Sequence, residues 1–396
     1  MQLDSMNDQK KIRVLVVHSQ LQQHGSERLM YEVCEALDKS RFEVSILVRP
    51  FFIRNQFYFA KFTKLAIPIH CRLVTKRHAR FPIKWLYDRS GTLRKLLAWF
   101  QQFLVRGLCR PLVEWADIIA VIGIETYCDA FAPWLDASGK VVIHHVTHRF
   151  QFERDYFAEC HQRRIVVGDE QQRLEVMASP LHGCEIFYFP LSMSLGKLPR
   201  LAVNAPSSGR PVRVAVVSRL YRDRPNEQLF RCFAALCRVV DSELFFYGGG
   251  DPALYSALLA QLGIVDKVIF KGHQSNLEES LRRDRPTVSW LVAAGPSISY
   301  GSVEMSSLGI PMVFWNLSSL SYEEILAKTD GALHAFADES AFTYFNLGLF
   351  RDSANLQEHA DRLCDHVRNR FEIGRYISSL EEYYCLVAAR RSGLFL

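Results

Sequence analysis

The chain has 396 residues, 49% hydrophobic, 12% aromatic and 23% charged, a balance that excludes disorder and, at roughly 100 to 200 residues per domain, leaves room for more than one core. Its 48 Lys and Arg exceed its 42 Asp and Glu, giving a formal charge of +6; the excess is spread along the chain and favours an anionic partner, whether a phosphate, nucleic acid or an acidic membrane surface. The 10 cysteines form no Cys-x-x-Cys pair and no His/Cys ligand spacing, which argues against structural zinc and for core thiols in a reducing, cytosolic setting.

The opening MQLDSMNDQKK is polar and carries no apolar signal region, and no stretch reaches the roughly 18 apolar residues of a spanning helix. Ile12 to Val17 is a β-branched apolar run, the pattern of a strand buried on both faces of a parallel sheet. A helix over Ser26 to Leu37 and a strand over Phe42 to Val48 complete a β-α-β unit. Further strands are expected over Trp115 to Ile124, Lys140 to His145 and Arg164 to Val167. Between them, Leu93 to Leu108 places Leu93, Leu96, Leu97, Phe100 and Leu104 in an apolar stripe among Arg94, Lys95, Arg106 and Arg110. Such a stripe either packs on the sheet or, as a basic amphipathic helix, lies on an anionic bilayer; the pattern favours packing, while the aromatic and basic stretches 51–64 and 76–85 upstream favour the bilayer.

A loop rich in Pro, Ser and Gly, 198–210, reads as an interdomain linker. Beyond it the alternation restarts. Strands are expected over Val212 to Val217, Glu243 to Tyr247, Val268 to Phe270, Thr287 to Val292 and Pro311 to Trp315, with helices over Asn226 to Val239, Pro252 to Leu262 and Val303 to Leu308. The fold class is α/β: two tandem, doubly wound Rossmann-like domains facing a central cleft, the default ligand site of such sheets.

Four constellations could carry chemistry. Arg219 and Arg224 follow the strand ending at Val217, where open sheets bind ligands, and two forked guanidinium groups suit a diphosphate. Surface pairing of Arg222 and Arg224 with Asp223 and Glu227 is the alternative. The small-residue loop ending in Ser299, Tyr300, Gly301, Ser302 and Val303 runs into a helix whose opening amides could bind phosphate, and Glu304 could accept from a ribose diol or cap its own helix. Gly25 opens the first helix, without a G-x-G-x-x-G, so a nicotinamide cofactor is not indicated. His144, His145 and His148 end a strand, but neighbours on a strand face opposite ways, so one histidine facing the cleft is a better reading than a metal cage. No Asp-x-Asp, Walker lysine loop, nucleophile elbow or H-E-x-x-H occurs, so arginines and helix dipoles would have to hold a diphosphate without a metal.

In this order on tandem α/β domains, these features resemble the retaining glycosyltransferases of the GT-B fold, particularly glycosyltransferase family 4. His24-Gly-Ser-Glu-Arg28 looks like the family's Gly-Gly-x-Glu-Arg loop, and Arg219-Leu-Tyr-Arg-Asp-Arg224 like its Arg-Leu-x-x-x-Lys phosphate motif. Phe245 to Asp251 and Val268 to His273, with Gly272 near the base, are also similar; Glu304 to Pro311 echoes Glu-Ala-Met-Ala-x-Gly-x-Pro, whose Glu binds ribose. Where the family has a further Glu near the donor sugar, this chain has Pro296, a departure expected to shift donor preference.

The resemblance implies an acceptor-binding domain over 1–197, the linker 198–210, a nucleotide-sugar domain over 211–372, and a last helix in 373–396 crossing back to the first domain. It implies metal-independent, retaining hexosyl transfer from a UDP-sugar or GDP-sugar to a saccharide or lipid-linked acceptor, in polysaccharide or glycoconjugate synthesis, with domain closure assembling the site. No cofactor is implied. Arg219 and Arg224 would neutralise the diphosphate, Gly25, Gly272 and the amides of 299–303 would contact the donor, Glu304 would hold the ribose and His145, ahead of His144, would face the acceptor. The expected setting is the cytoplasm, with peripheral membrane association through 51–110. Two rivals stay open, a non-catalytic GT-B subunit binding a partner enzyme or glycan and a nucleotide-sugar epimerase of the same fold; nucleic-acid binding is not supported.

Overall fold

The computed structural model describes residues 10–22, 24–49, 57–73, 91–130, 139–146, 164–179, 183–195, 199–207, 209–222, 224–293, 298–317, 336 and 338–391. Pro296, Asp223, His148 and the basic stretch 76–85 lie outside them. The chain divides into two compact units, Met1–Ser194 with Ile373–Leu396, and Leu195–Glu372.

The first unit is built on a seven-stranded parallel sheet: β1 (Ile12–Val17), β2 (Phe42–Val48), β3 (Ile69–Cys71), β4 (Ile118–Ile122), β5 (Val141–His144), β6 (Arg164–Val167) and β7 (Glu185–Tyr188), in the spatial order β3-β2-β1-β4-β5-β6-β7. Its described helices are α1 (Gly25–Ala36), α2 (Phe57–Lys64), α3 (Gly91–Trp115), α4 (Ile124–Ala130) and α5 (Glu170–Met177). The register Ile12↔Phe42 through Val17↔Leu47 runs unbroken. Alternation sends Leu15, Val17, Ile119, Val121, Val141 and Ile143 into one core with Cys109 and Val113 of α3, while Val14, Val16, Ile118 and Val142 are buried as well. Both faces of this sheet are thus covered. The strand expected from Trp115 starts instead at Ile118, because Trp115 is the last residue of α3. Lys140 closes that helix end, donating from Nζ to the carbonyls of Val113 and Ala116 at 2.8 and 2.7 Å.

The second unit holds a five-stranded parallel sheet of β8 (Val212–Val217), β9 (Ser242–Tyr247), β10 (Val268–Gly272), β11 (Val288–Ala293) and β12 (Met312–Asn316), ordered β10-β9-β8-β11-β12. Helices α6 (Asn226–Cys237), α7 (Ser256–Leu262), α8 (Leu277–Asp284), α9 (Tyr300–Ser307), α10 (Glu339–Arg351) and α11 (Ser353–Phe371) belong to it. The last helix, α12 (Ile377–Arg391), belongs to the first unit. Val212, Val214 and Val216 pack into a core with Phe230, Phe233, Trp290 and Phe342. Ala215 packs the other way, with Tyr247, Leu281, Met305 and Leu308. Two-sided burial explains why β1, β2 and β8 read as continuous apolar runs.

Candidate functional site

In the second sheet the order reverses at β8, whose neighbours β9 and β11 are reached by connections leaving in opposite directions. The carboxyl end of such a strand opens a crevice. Three glycines draw the surrounding loops together there. A Cβ on Gly248 would lie 1.7 Å from the Ser218 carbonyl oxygen, and one on Gly301 would lie 2.3 Å from Val217 Cγ1. Gly250 bridges to Leu220, with φ +121°. The Gly272 carbonyl accepts from the Gly248 amide at 2.9 Å, joining the β9 and β10 ends.

The loop that carries the arginines is fastened from below. Buried Asn226, the first residue of α6, donates from Nδ2 to the Arg219 carbonyl at 2.9 Å and to the Tyr255 hydroxyl at 3.1 Å. Tyr255 in turn donates to the Tyr221 carbonyl at 3.0 Å. With its backbone held, Arg219 lays its guanidinium over the exposed Tyr221 ring, 5.1 Å from the centroid, an arrangement that restricts the side chain and leaves its N–H edge for an oxyanion. Arg224 is exposed. Neither Asn226 nor Tyr255 stood out in the sequence as a site residue, because both act through backbone carbonyls that only the fold brings within reach.

Helix α9 begins at Tyr300, three residues before the expected start at Val303. Ser299 is its cap, accepting from the Ser302 amide at 3.2 Å, and its hydroxyl lies 2.9 Å from that of Ser302. The Val303 amide already donates to the Ser299 carbonyl at 2.9 Å. Of the amides from Gly301 to Val303, the cap therefore leaves that of Gly301. Glu304 is half-buried one turn into the helix, so the capping role weighed for it falls to Ser299. At the other end Arg368 of α11 donates twice to the Ser307 carbonyl, at 3.1 and 2.9 Å, a cation on the negative end of the helix that anchors α9. At the carboxyl end of α8, toward the amino edge of the sheet where Arg213 donates to the Asp284 carbonyl, Tyr247 donates to Asp284 at 2.8 Å and Lys271 lies 3.2 Å from the same carboxylate. Burial opposes the charge on Asp284, yet these two donors hold its carboxyl below the usual range.

The first unit places its candidates differently. Gly25 is exposed at the start of α1. Buried Glu27 in the same turn lies 3.6 Å from His18 Nε2 and 3.4 Å from His24 Nδ1 and accepts from Ser26; despite a burial cost, these donors hold its carboxyl far below the usual range. His144 is fully enclosed, its Nε2 2.8 Å from the Tyr384 hydroxyl of α12, and burial lowers its pKa to about 4. His145, the residue expected to face an acceptor, is buried with Nε2 3.9 Å from Glu175 of α5. The two histidines thus turn to different helices. The sequence singled out Gly25 as a donor contact and quoted Glu27 only within the Gly-Gly-x-Glu-Arg-like loop; its spacing of three from His24 was the available signal for their pairing.

No family model matches the chain, and no curated protein matches it in sequence. Solved structures match in fold along nearly its whole length. Sucrose-phosphate synthase from Thermosynechococcus elongatus is 14% identical with a TM-score of 0.67, aligned over 96% of this chain and 100% of its own. Anabaena Alr3699/HepE, solved with UDP and glucose, is 11% identical with a TM-score of 0.66, covering 94% and 99%. The apo lipopolysaccharide outer core galactosyltransferase WaaB is 16% identical with a TM-score of 0.62, covering 93% and 98%. With two parallel sheets wound by helices, the chain has the GT-B fold of these glycosyltransferases.

Proposed function

We propose that the protein is a retaining, metal-independent glycosyltransferase resembling family 4. It moves a hexosyl group from a nucleoside diphosphate sugar, UDP-sugar first and GDP-sugar second, to a saccharide or lipid-linked acceptor at the cytoplasmic face of a membrane. The observation that supports this most directly is the fastened β8–α6 loop, which holds Arg219 at a strand end packed against Gly301 at the start of α9. A guanidinium and a helix N-terminus at one switch point suit a diphosphate. The HepE neighbour was solved with UDP and with UDP-glucose, which makes UDP the first nucleotide to try.

On this reading Arg219 and Arg224 neutralise the departing diphosphate, the Gly301 amide and the rim at Ser299, Tyr300, Ser302 and Val303 contact it, and Glu304 accepts from the ribose hydroxyls. Gly25 and Gly272 let backbone approach the donor. The acceptor hydroxyl attacks the anomeric carbon on the face from which the diphosphate leaves, and its proton passes to a donor phosphate oxygen, so the protein supplies fixed positive potential and no nucleophile. His145 enters on the acceptor side, where its pair with Glu175 would have to open before it touched a hydroxyl.

Thermal unfolding with UDP, GDP, ADP and their sugar conjugates, with and without EDTA, tests the proposal. One nucleotide should raise the melting temperature, insensitive to EDTA, and Arg219→Ala should weaken that binding about 10- to 100-fold, the loss of a charge-assisted pair. If no nucleotide stabilises the protein, the transferase reading fails. If one binds but its sugar is never released to water or acceptor, the non-catalytic reading, which Pro296 motivates, replaces it. Anomeric configuration of the product, read by NMR, tests retention.

A further inference from the structure

Helix α3 is anchored toward its carboxyl end and exposes four large apolar side chains toward its amino end. Cys109 and Val113 are in the core, and Lys140 closes the carboxyl end. Toward the amino end, Leu96, Trp99, Phe100 and Phe103 are 60%, 65%, 51% and 63% exposed. Their i, i+3, i+4, i+7 spacing puts them on one ridge, and the rings of Trp99 and Phe103 stack with centroids 6.1 Å apart. The sequence left two readings of this stripe, packing on the sheet or lying on a bilayer. The exposed residues do not pack on the sheet.

A contiguous aromatic ridge in water marks a docking surface. We infer that this ridge seats α3 in the headgroup region of an anionic bilayer, parallel to its plane. Trp and Phe are the side chains that settle at that depth. Charge decides between a bilayer and a second copy of the chain: α3 carries Arg94, Lys95, Arg106 and Arg110 in its sequence against one acid, Glu114. Two such helices face to face repel, whereas acidic lipid attracts each of them. Arg110 is itself paired with Glu114 at 2.7 Å, so the excess resides in the other three residues. Among the described residues no helix is long and apolar enough to cross a membrane, so the ridge rests at the surface. The inference stands apart from the transferase reading, since it needs no nucleotide.

The test is co-sedimentation of the full chain with phosphatidylcholine vesicles, with and without phosphatidylglycerol, for the wild type and Trp99→Ser/Phe103→Ser. The wild type should bind the anionic vesicles, more weakly at high salt, and the variant's partition should fall about tenfold or more. Brominated lipid should quench wild-type tryptophan fluorescence more than that of Trp99→Phe, which locates the ring in the bilayer. Since both substituted side chains are exposed, the variant should melt with the wild type and keep any nucleotide binding. Equal binding by the variant, no binding by the wild type, or indifference to acidic lipid overturns the inference. So does a concentration-dependent dimer that the variant abolishes, which would assign the ridge to a second copy.

Discussion

At the carboxyl edge of the second sheet, Gly248, Gly250 and Gly301 let loops touch at distances no side chain would allow, and Asn226 and Tyr255 tie down the carbonyls beneath Arg219 and Tyr221. At the same edge of the first sheet, buried and half-buried polar side chains lie near one another: His18 and His24 with Glu27, His144 with Tyr384, His145 with Glu175. One edge is held by steric contact and backbone hydrogen bonds, with the Arg219 guanidinium laid over Tyr221. The other buries ionisable groups, and the burial that lowers the His144 pKa gives it a response to pH. The difference teaches that similar sheets can place a charged site at one strand end and a closed polar core at another.

The steric edge should break hardest. A Gly248→Val side chain has no room beside the Ser218 carbonyl and φ is +149°, so the variant should lose about 4 kcal/mol or more, seen as a collapse of soluble yield or melting temperature. A variant melting within a degree or two of wild type would mean the loops are not in contact.

The polar edge should answer to acid. The pKa of His144 is about 4 in the fold against an ordinary 6.5, so between those values the unfolded chain takes up a proton that the folded one refuses. Stability therefore falls as pH drops through that window, by about 3 kcal/mol for this residue, and is unaffected above it. His359, buried with Nε2 2.9 Å from the Met312 carbonyl, shifts the same way. Urea unfolding across this pH range should lose part of its slope in His144→Gln; an unchanged slope would mean His144 is already protonated or solvated.

Much of this fold was legible because burial on both faces leaves a plain mark. β1, β2 and β8 match their expected bounds, each a run of Val, Ile, Leu or Phe with little polar interruption. The short edge strands Ile69–Cys71 and Glu185–Tyr188 were not read, since so few residues carry no period. The start of α9 was missed because its cap is a Ser299–Ser302 pair rather than the usual Ser with a Glu three residues on. In the site, Arg219 and Gly301 stood out by position after a strand and before a helix. Asn226 and the His145–Glu175 pair did not, because their partners are brought close by the sheet and not by local spacing.

Asn226 tests whether fastening matters to the arginine above it. Asn226→Ala removes both Nδ2 bonds and leaves the Arg219 carbonyl without that donor, so stability should fall by about 1 to 3 kcal/mol. If the loop positions the guanidinium, nucleotide affinity falls too in protein that is still folded. If affinity is unchanged, the ring of Tyr221 alone keeps Arg219 in place.

Tyr221 supplies the smallest and most specific test. Its exposed ring gives Arg219 a flat surface and contributes little to the core, so Tyr221→Ala should leave the melting temperature alone. A cation over an exposed ring is stabilised by about 0.5 to 1 kcal/mol, so nucleotide affinity should fall only about two- to fivefold. Tyr221→Phe keeps the ring and should bind like wild type. A loss in both variants would point to the hydroxyl as a ligand contact, and no loss in either would mean the guanidinium is positioned by the Asn226-held backbone, which makes the steric edge self-sufficient.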